Sequence, residues 1–146
     1  VPSDNHVLTP HPGEAARLLN CLVPEVEADR MAAARKLQAL YGGTVLLKGA
    51  GTVVASQGSV LDVISGSNPG MATGGMGDVL SGIIGAVLGQ IGDGQKAAVL
   101  GAAAHLAAAD RASEASGLIG LIPTDVIDAL PLVFRASERY PEARDL

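Results

Sequence analysis

Hydrophobic runs of strand length alternate with segments of helical periodicity in the first third of this chain. Residues 7–9 and 44–48 are short, apolar and rich in Val, Leu and Thr, and proline or glycine follows each run. Such runs predict strands that are buried on both faces. Between them, a proline near the first position and Glu14 in the first turn predict a short helix at residues 12–19. Apolar residues at helical spacing predict a longer helix at residues 25–41, which Gly42 ends.

The rest of the chain predicts a hairpin followed by three helices. Residues 52–56 and 60–64 are strand-like and flank a glycine-containing turn, as in a β-hairpin. The helices are expected at residues 77–90, 95–115 and 124–137. Thr124 is the expected N-cap of the last helix. This order of elements predicts an α/β layered domain.

Composition limits both the fold and the possible partners. With 146 residues, the chain is expected to form one domain. Hydrophobic residues make up 48% of it but aromatic residues only 2%, so small aliphatic side chains must fill the core. The net charge of −5 and the lack of a basic patch argue against nucleic acid as a partner. Two apolar stretches, residues 79–91 and 97–109, are too short to span a membrane.

Three features outside the main motifs also limit the interpretation: the cysteine content, the first five residues and His105. Cys21 is the single cysteine, so neither a disulfide framework nor a Cys-x-x-Cys metal cluster is expected. This fits a reducing compartment. Residues 1–5 lack the charged and apolar regions of a signal peptide, so a cytoplasmic location is expected. His105, among alanines and a leucine, is interpreted as a packed core histidine.

The segment from Asn68 to Asp78 carries the strongest chemical signal. It is rich in glycine and leads directly into an apolar helix. A helix N-terminus exposes unpaired N–H groups and therefore attracts phosphate, and glycines let the backbone approach an anion closely. Asp78 would repel phosphate, which makes sense if its carboxylate takes a proton from the group that attacks phosphorus. The alternative is that Asp78 only caps the helix.

Residues 68–88 resemble the signature of the NAD(P)H-hydrate dehydratases, which belong to the ribokinase-like superfamily. Two further segments, Leu-Thr-Pro-His-Pro-Gly-Glu at residues 8–14 and Val-Leu-Leu-Lys-Gly-Ala-Gly-Thr at residues 45–52, resemble the same family in the expected order. The resemblance implies a ribokinase-like layered domain with a mostly parallel central sheet flanked by helices. Because the family's domain is longer, residues 1–146 are expected to be its C-terminal portion, with the N-terminal portion absent from this chain.

The activity that this resemblance implies is the dehydration of NAD(P)H hydrate back to NAD(P)H with consumption of ADP or ATP. The ring hydroxyl would be phosphorylated, and phosphate would then be eliminated. Asp78 would be the catalytic residue and would also contact the substrate. The anion hole would be formed by the backbone amides of Gly74, Gly75, Met76 and Gly77. Met76 stands where the commoner family form has Thr, so this site lacks one hydroxyl.

The His11-x-x-Glu14 pair has two interpretations. In the resemblance, His11 contacts the hydrated nicotinamide and Glu14 helps to order Mg²⁺, possibly through water. Related small-molecule kinases carry Asn at the position of His11, so the histidine favours the dehydratase branch. The alternative from the residues alone is a structural histidine followed by a glutamate that interacts with the helix dipole.

The glycine-rich segment after the second strand resembles the family's nucleotide-binding loop. The implied nucleotide-binding residues are Lys48, Gly49, Ala50, Gly51 and Thr52, together with Gly77. The segment is neither a Walker A motif nor a Rossmann fingerprint. A glycine-rich entry to a hairpin with a solvated lysine remains the alternative. Since no aromatic residue adjoins a glycine loop, adenine is expected in an aliphatic pocket.

The resemblance leaves two other functions open. One is a ribokinase-like kinase of a small vitamin precursor, in which the reaction stops at the phosphate ester. The other is a non-catalytic fragment. The expected partners are NAD(P)H hydrate, an adenine nucleotide, further copies of the protein and the N-terminal half of the same domain; neither nucleic acid nor a membrane is expected.

Overall fold

The computed structural model describes residues 6–138. The segment without signal-peptide features, residues 1–5, lies outside the described residues. Four strands are present: β1 (Val7–Leu8), β2 (Thr44–Leu47), β3 (Thr52–Ser56) and β4 (Asp62–Ile64). The helices are α1 (Pro12–Leu19), α2 (Val23–Ala28), α3 (Arg30–Tyr41), α4 (Met76–Ile91), α5 (Gly94–Ser116) and α6 (Pro123–Glu138). A short 3₁₀ helix, Pro69–Met71, precedes α4.

The strands form one sheet in the order β1-β2-β3-β4. β1 is parallel to β2, whereas the pairs β2–β3 and β3–β4 are antiparallel. The expectation of a mostly parallel sheet is therefore wrong for residues 6–138. The physical reason is the length of the connections: short loops reverse the chain after β2 and β3, while the long segment from α1 to α3 allows β2 to run parallel to β1.

The predicted helix at residues 25–41 is two helices. Asp29 separates α2 from α3 with φ −148° and ψ 86°, which is not helical backbone. Its carboxylate accepts a hydrogen bond of 2.9 Å from the amide of Ala32 and so caps α3. The aspartate therefore forms a helix start where the apolar periodicity predicts a continuous helix.

The start of α6 also differs by one residue from the prediction. The helix begins at Pro123, so Thr124 lies inside its first turn and is not the N-cap. The carboxylate of Asp125 instead accepts a hydrogen bond of 3.0 Å from the amide of Ile122. Proline suits a first helical position because its missing N–H would have no partner there.

Helices cover both faces of the sheet. Val45 and Leu47 pack with residues of α1, α2 and α3, whereas Leu46 and Val54 pack against α4 and α5. β2 is buried throughout, as its sequence predicts. β1 is only half-buried because it is the edge strand of the described sheet, so the prediction of burial on both faces is wrong for it.

The α4–α5 contact shows how a core with few aromatic residues is filled. A Cβ at Gly101 of α5 would lie 2.6 Å from the Cγ1 atom of Ile84 in α4. Small residues thus let the two helices approach closely, as the composition suggests. A third core cluster joins these helices to α6 through residues such as Met76, Ala108 and Val126. Every helix within residues 6–138 is too short or too polar to cross a membrane.

Candidate functional site

The segments after β1 and β2 meet the start of α4 at one end of the sheet. The amide of Lys48, which directly follows β2, donates a hydrogen bond of 2.8 Å to the carbonyl of Pro10, which follows β1. In α/β proteins, ligands commonly bind at the carboxyl ends of parallel strands. Two of the three motif segments are therefore adjacent, and the third begins beside them.

A cavity of about 600 Å³, which we name the main cavity, opens at this place. Its polar wall includes His11, Lys48, Thr52 and Gly77. Its apolar wall comes from β4, the 3₁₀ helix, α4 and α5 and contains Ile64, Met71, Leu80, Ala102 and Leu106. The cavity therefore offers a polar wall to a charged group and an aliphatic wall to an apolar one.

A second cavity of about 480 Å³, the side cavity, lies next to the main one. Lys48 and Gly77 line both cavities, whereas Glu14, Asp78 and Ser81 line the side cavity and not the main one. The predicted site residues are thus divided: His11 faces the main cavity, and Asp78 faces the side cavity. A group held at Lys48 and Gly77 would be accessible to ligands in both.

The N-terminus of α4 is open to an anion. Gly75 is the N-cap, with φ +92°, a left-handed conformation that glycine adopts without strain. No side chain caps this end of the helix. Among residues 6–138, the N–H groups of Gly74, Gly75 and Gly77 have no hydrogen-bond partner, while Met76 N–H donates to Thr73 O at 3.4 Å. Three amides are therefore available at the positive end of the helix dipole.

Asp78 lies in the first turn of α4 and is exposed. Its carboxylate forms no hydrogen bond or ion pair with the described residues, and it does not cap the helix. The alternative role as a helix cap is therefore wrong for this structure, although an acidic residue in a first turn still interacts favourably with the dipole.

Lys48 places a cation over this helix start. Its Nζ lies 3.7 Å from Glu14 Oε2. A Cβ at Gly77 would lie 3.1 Å from the same Nζ, so the lysine depends on the missing side chain at this position. The ammonium and the open amides of α4 together form a positive site between the two cavities.

His11 and Glu14 form a capping box at the start of α1. His11 Nδ1 accepts hydrogen bonds from the amides of Gly13 and Glu14 at 3.0 and 3.3 Å. Glu14 Oε2 accepts a hydrogen bond of 2.7 Å from His11 N, and Oε1 lies 3.3 Å from His11 Nε2. The structural role considered for this pair is therefore present, and it also fixes His11 on the wall of the main cavity.

The electrostatic environment of Glu14 favours its charged form. The hydrogen bond from the His11 amide lowers the pKa of the carboxyl group against the opposing effect of partial burial, and Lys48, His11 and Arg17 lower it further. Among the described residues no cluster of three His, Cys, Asp or Glu side chains could hold a metal ion. Both Glu14 oxygens already have partners, so this carboxylate is suited to contact a cation through water.

The loop between β2 and β3 has a glycine-dependent conformation. Gly49 and Gly51 have φ values of +150° and +72°. Thr52 Oγ1 donates a hydrogen bond of 3.3 Å to Gly49 O and closes the loop. Gly49, Ala50 and Thr52 line the main cavity, as does the side chain of Lys48. The segment is the glycine-rich connection of the β2–β3 hairpin, as in the alternative interpretation, but the Lys48 side chain is half-buried and pairs with Glu14.

His105 belongs to the site as well as to the core. Its side chain is buried, as predicted, but it lines the main cavity, and its Nε2 has no hydrogen-bond partner among residues 6–138. Burial lowers the pKa of the imidazole to about 4. The sequence shows only a histidine among alanines, so its place on a cavity wall could not be predicted from the pattern.

Asn68 connects the glycine-rich segment to α5. Its side-chain nitrogen donates to Asp110 Oδ1 at 2.8 Å and to Ser113 Oγ at 3.0 Å. Its Oδ1 accepts a hydrogen bond of 2.9 Å from Gly70 N. The buried amide thus holds the approach to α4 in place, a role that only the tertiary structure reveals.

Comparisons with known proteins identify relatives over most of this chain. The family model for NAD(P)H-hydrate dehydratase matches residues 1–132. The bifunctional NAD(P)H-hydrate repair enzyme Nnr of Escherichia coli K12 is 55% identical over 126 residues, which are 86% of this chain and 24% of that protein. The ADP-dependent (S)-NAD(P)H-hydrate dehydratase of Neisseria meningitidis serogroup B is 49% identical, over 86% of this chain and 43% of its own length.

Solved structures show the same fold. The ADP/ATP-dependent NAD(P)H-hydrate dehydratase of Bacillus subtilis, co-crystallised with ATP/Mg²⁺, matches with a TM-score of 0.83 and 30% identity over 89% of this chain. A ribokinase-like superfamily protein of Enterococcus faecalis gives a TM-score of 0.75 at 30% identity. The predicted ribokinase-like α/β class is thereby confirmed. The chain spans 47% of the Bacillus protein and about a quarter of the Escherichia coli relative.

The range that the family model matches contains all three predicted motif segments. The family match begins before His11, includes the 48–52 loop and the start of α4, and continues into α6. The family model matches residues 1–132, which is most of the chain. The two relatives named above are 55% and 49% identical to it. The chain belongs to the NAD(P)H-hydrate dehydratase family.

Proposed function

We propose that the protein containing this chain converts NAD(P)H hydrate back to NAD(P)H and consumes ADP or ATP in the reaction. The proposal is supported by its family and by relatives named as hydrate repair enzymes and ADP-dependent dehydratases. The observation that carries it is the α4 N-terminus, where free amides, Lys48 and the unpartnered Asp78 lie at the boundary of two cavities.

In this proposal the main cavity takes the nucleotide. Its phosphates would lie at the amides of Gly74 to Gly77 and at Lys48, and the loop residues Lys48, Gly49, Ala50, Gly51 and Thr52 would surround the rest. Adenine would contact the aliphatic wall, which contains Ile64, Met71 and Leu106. Neither Tyr41 nor Phe134 lines this cavity; Tyr140 lies outside the described residues.

The hydrated nicotinamide would enter from the side of Asp78 and contact His11 at the edge of the main cavity. Asp78 takes the proton of the ring hydroxyl while the hydroxyl oxygen attacks the terminal phosphorus of the nucleotide. The bond from phosphorus to the leaving nucleotide oxygen breaks, and the free amides stabilise the negative charge on the transferring phosphoryl group. The lone pair of the ring nitrogen then expels phosphate, and loss of a proton from the adjacent carbon restores the dihydropyridine.

Mg²⁺ fits this site as a companion of the nucleotide phosphates. The ion usually keeps several waters and binds one or two carboxylates together with phosphate oxygens. Glu14 supplies a charged carboxylate next to Lys48, and its existing hydrogen bonds suit a contact through water. When bound, Mg²⁺ would neutralise charge on the nucleotide phosphates.

The assembly of the whole protein is also part of the proposal. Since the chain spans 47% of the Bacillus protein, we propose that residues 1–146 form the C-terminal portion of one dehydratase domain and work with an N-terminal portion. Association of identical subunits and a cytoplasmic location are proposed as well.

The reaction can be tested on the intact protein with NADH hydrate and each nucleotide. We expect NADH absorbance to return, with one phosphate released for each NADH formed. Product analysis separates this from the kinase alternative, in which a stable phosphate ester would accumulate without recovery of NADH. Absence of both products with a folded protein would contradict nucleotide-dependent chemistry at this site.

A further inference from the structure

Arg30 contacts the backbone of the 48–52 loop and does not line the main cavity. It is the first residue of α3, and its side chain is 16% exposed. Its Nη2 donates to the carbonyls of Leu47 and Lys48 at 3.3 and 3.0 Å, and Nη1 donates to the carbonyl of Ala50 at 3.4 Å. One guanidinium thus connects the last carbonyl of β2 with two carbonyls of the loop that follows.

Gly49 fits closely against this guanidinium. A Cβ at position 49 would overlap both terminal nitrogens and the central carbon of Arg30, and the backbone φ of +150° is one that residues with side chains rarely adopt. The Nε of Arg30 is buried without a partner, which costs free energy. The exposed Glu27 lies 3.8 Å from Nη1 and adds little. The arginine is therefore held mainly by the three loop carbonyls.

The planarity of the peptide group relates these carbonyls to the cavity. In a trans peptide, each C=O points opposite to the N–H of the next residue. The Leu47 carbonyl points to Arg30, and the following N–H, of Lys48, donates in the other direction to Pro10 O. By the same geometry, the N–H groups of Gly49 and Gly51 point away from Arg30. Gly49 lines the main cavity, whereas Gly51 and Arg30 do not.

From these contacts we infer that Arg30 is a positioning residue for nucleotide binding: it holds three carbonyls on its own side of the loop and so leaves the amide of Gly49, which lines the main cavity, to face an anionic or polar group of the nucleotide. Carbonyl oxygens turned into the cavity would repel phosphate, whereas amides attract it. Arg30 itself touches no ligand. This inference rests on the proposed function, since it assigns the nucleotide to the main cavity.

The test compares three variants of the intact protein by calorimetric titration with ADP and by steady-state kinetics. For Arg30→Gln we expect the nucleotide Kd and KM to rise about 10- to 100-fold, the range for lost hydrogen bonds to a charged group. The turnover number and the KM for the hydrate should change much less. Arg35→Gln, an exposed position on the same helix, is the matched control and should bind ADP like the wild type.

Arg30→Lys separates charge from geometry. It keeps the positive charge, but one ammonium cannot connect three carbonyls as the planar guanidinium does, so its nucleotide Kd should also rise. A wild-type Kd in Arg30→Lys would overturn the inference. A folded Arg30→Gln protein with a lowered melting temperature and an unchanged nucleotide Kd would show a merely structural role and would also overturn it.

A second measurement distinguishes failure of this inference from failure of the proposed function. Amide hydrogen exchange is followed for the ligand-free protein, with Arg30→Gln expected to accelerate exchange in residues 47–52 and not in α5. If the wild type does not bind nucleotide, the proposed function fails, yet faster exchange in this loop would still support its positioning by Arg30. Unchanged exchange in the loop would overturn the positioning role whatever the binding result.

Discussion

At the scale of single residues, Asp78 differs from its surroundings. It places a negative charge at the mouth of a site that is otherwise built to attract anions, and no described residue neutralises it. Nor does it cap the helix, because Gly75 occupies the N-cap position at which aspartate is common. The arrangement is consistent with a carboxylate that is kept free to accept a proton.

We predict that Asp78→Asn in the intact enzyme lowers turnover by at least about 100-fold, the usual scale for loss of a general base. ADP binding, measured by calorimetry, should barely change because the amides and Lys48 remain. Near-wild-type turnover of a correctly folded Asp78→Asn protein would contradict the catalytic role. Because the Asp78 carboxylate forms no hydrogen bond with the described residues, its replacement by asparagine removes none of the contacts that hold the fold.

A second residue-scale prediction concerns His105. Burial lowers its pKa in the folded protein to about 4 from the ordinary value of 6.5. Between these pH values the unfolded chain binds more protons, so the free energy of unfolding should fall as the pH falls from 6.5 to 4, by about 3 kcal/mol in total. Above pH 6.5 the imidazole is neutral in both the folded and the unfolded chain, so it adds no pH dependence to the free energy of unfolding.

Denaturant unfolding at several pH values measures this effect, with His105→Gln as the reference. Glu14, whose pKa is lowered in the folded protein, also removes stability as the pH falls through its own range, but it does so in both proteins. The difference between wild type and variant should therefore isolate the imidazole. Identical pH slopes between 6.5 and 4 would show that His105 is not buried as a neutral group.

At the scale of elements, the glycines of α4 have different functions. A side chain at Gly77 would meet the Lys48 ammonium, whereas a side chain at the exposed Gly82 on the same helix would meet nothing within 4 Å. Glycine inside a helix costs up to about 1 kcal/mol relative to alanine. Glycine at position 77 therefore makes the helix less stable than alanine would, but it leaves its amide accessible and leaves room for the Lys48 ammonium.

We predict that Gly77→Ala and Gly82→Ala both keep or raise the melting temperature, because alanine favours the helix. Only Gly77→Ala should weaken ADP binding, by about tenfold or more, since it displaces Lys48 and crowds the free amides. Thermal unfolding and calorimetric titration of the two variants provide the comparison. Equal ADP affinities would place the phosphate elsewhere than at the start of α4.

The elements also show what the sequence could and could not predict. The sequence assigned His11, Lys48 and Gly77 to one site, and all three line the main cavity. This was possible because each residue belongs to a locally recognisable feature: a strand end followed by a helix, a strand end followed by glycines, or a helix start. The break at Asp29 was missed, since apolar periodicity continues through it. Arg30 was missed for a different reason: it lies 17 to 20 residues before the carbonyls it contacts, and only the tertiary structure brings them together.

At the scale of the whole molecule, the site depends on contacts between distant parts of the chain. The main cavity combines the ends of the first two strands with β4, the start of α4 and the middle of α5. Asn68, which also lines this cavity, is joined to the C-terminal half of α5 by hydrogen bonds that span more than 40 residues. The side cavity, which includes Asp78, is by contrast more open and is formed by fewer elements.

A large apolar groove between α4 and α6 leads to the last prediction. It encloses about 660 Å³, and Val79, Ile83, Val87, Ile127 and Leu130 are among its lining residues. Ile127 is 48% exposed, and further large hydrophobic side chains, such as Ile119 and Val60, are exposed elsewhere on the chain. Contiguous apolar surface of this kind favours association, because burying it removes it from water.

We therefore predict that the isolated 146-residue chain is not a well-behaved active monomer and associates with copies of itself. Light scattering should show a molar mass that rises with concentration, and Ile127→Lys should reduce this association by placing a charge in the groove. Dehydratase turnover of the isolated chain should be far below that of the intact protein, because the side cavity around Asp78 is open. A soluble monomer that unfolds cooperatively and has full turnover would contradict both expectations and would show that residues 1–146 suffice for the complete site.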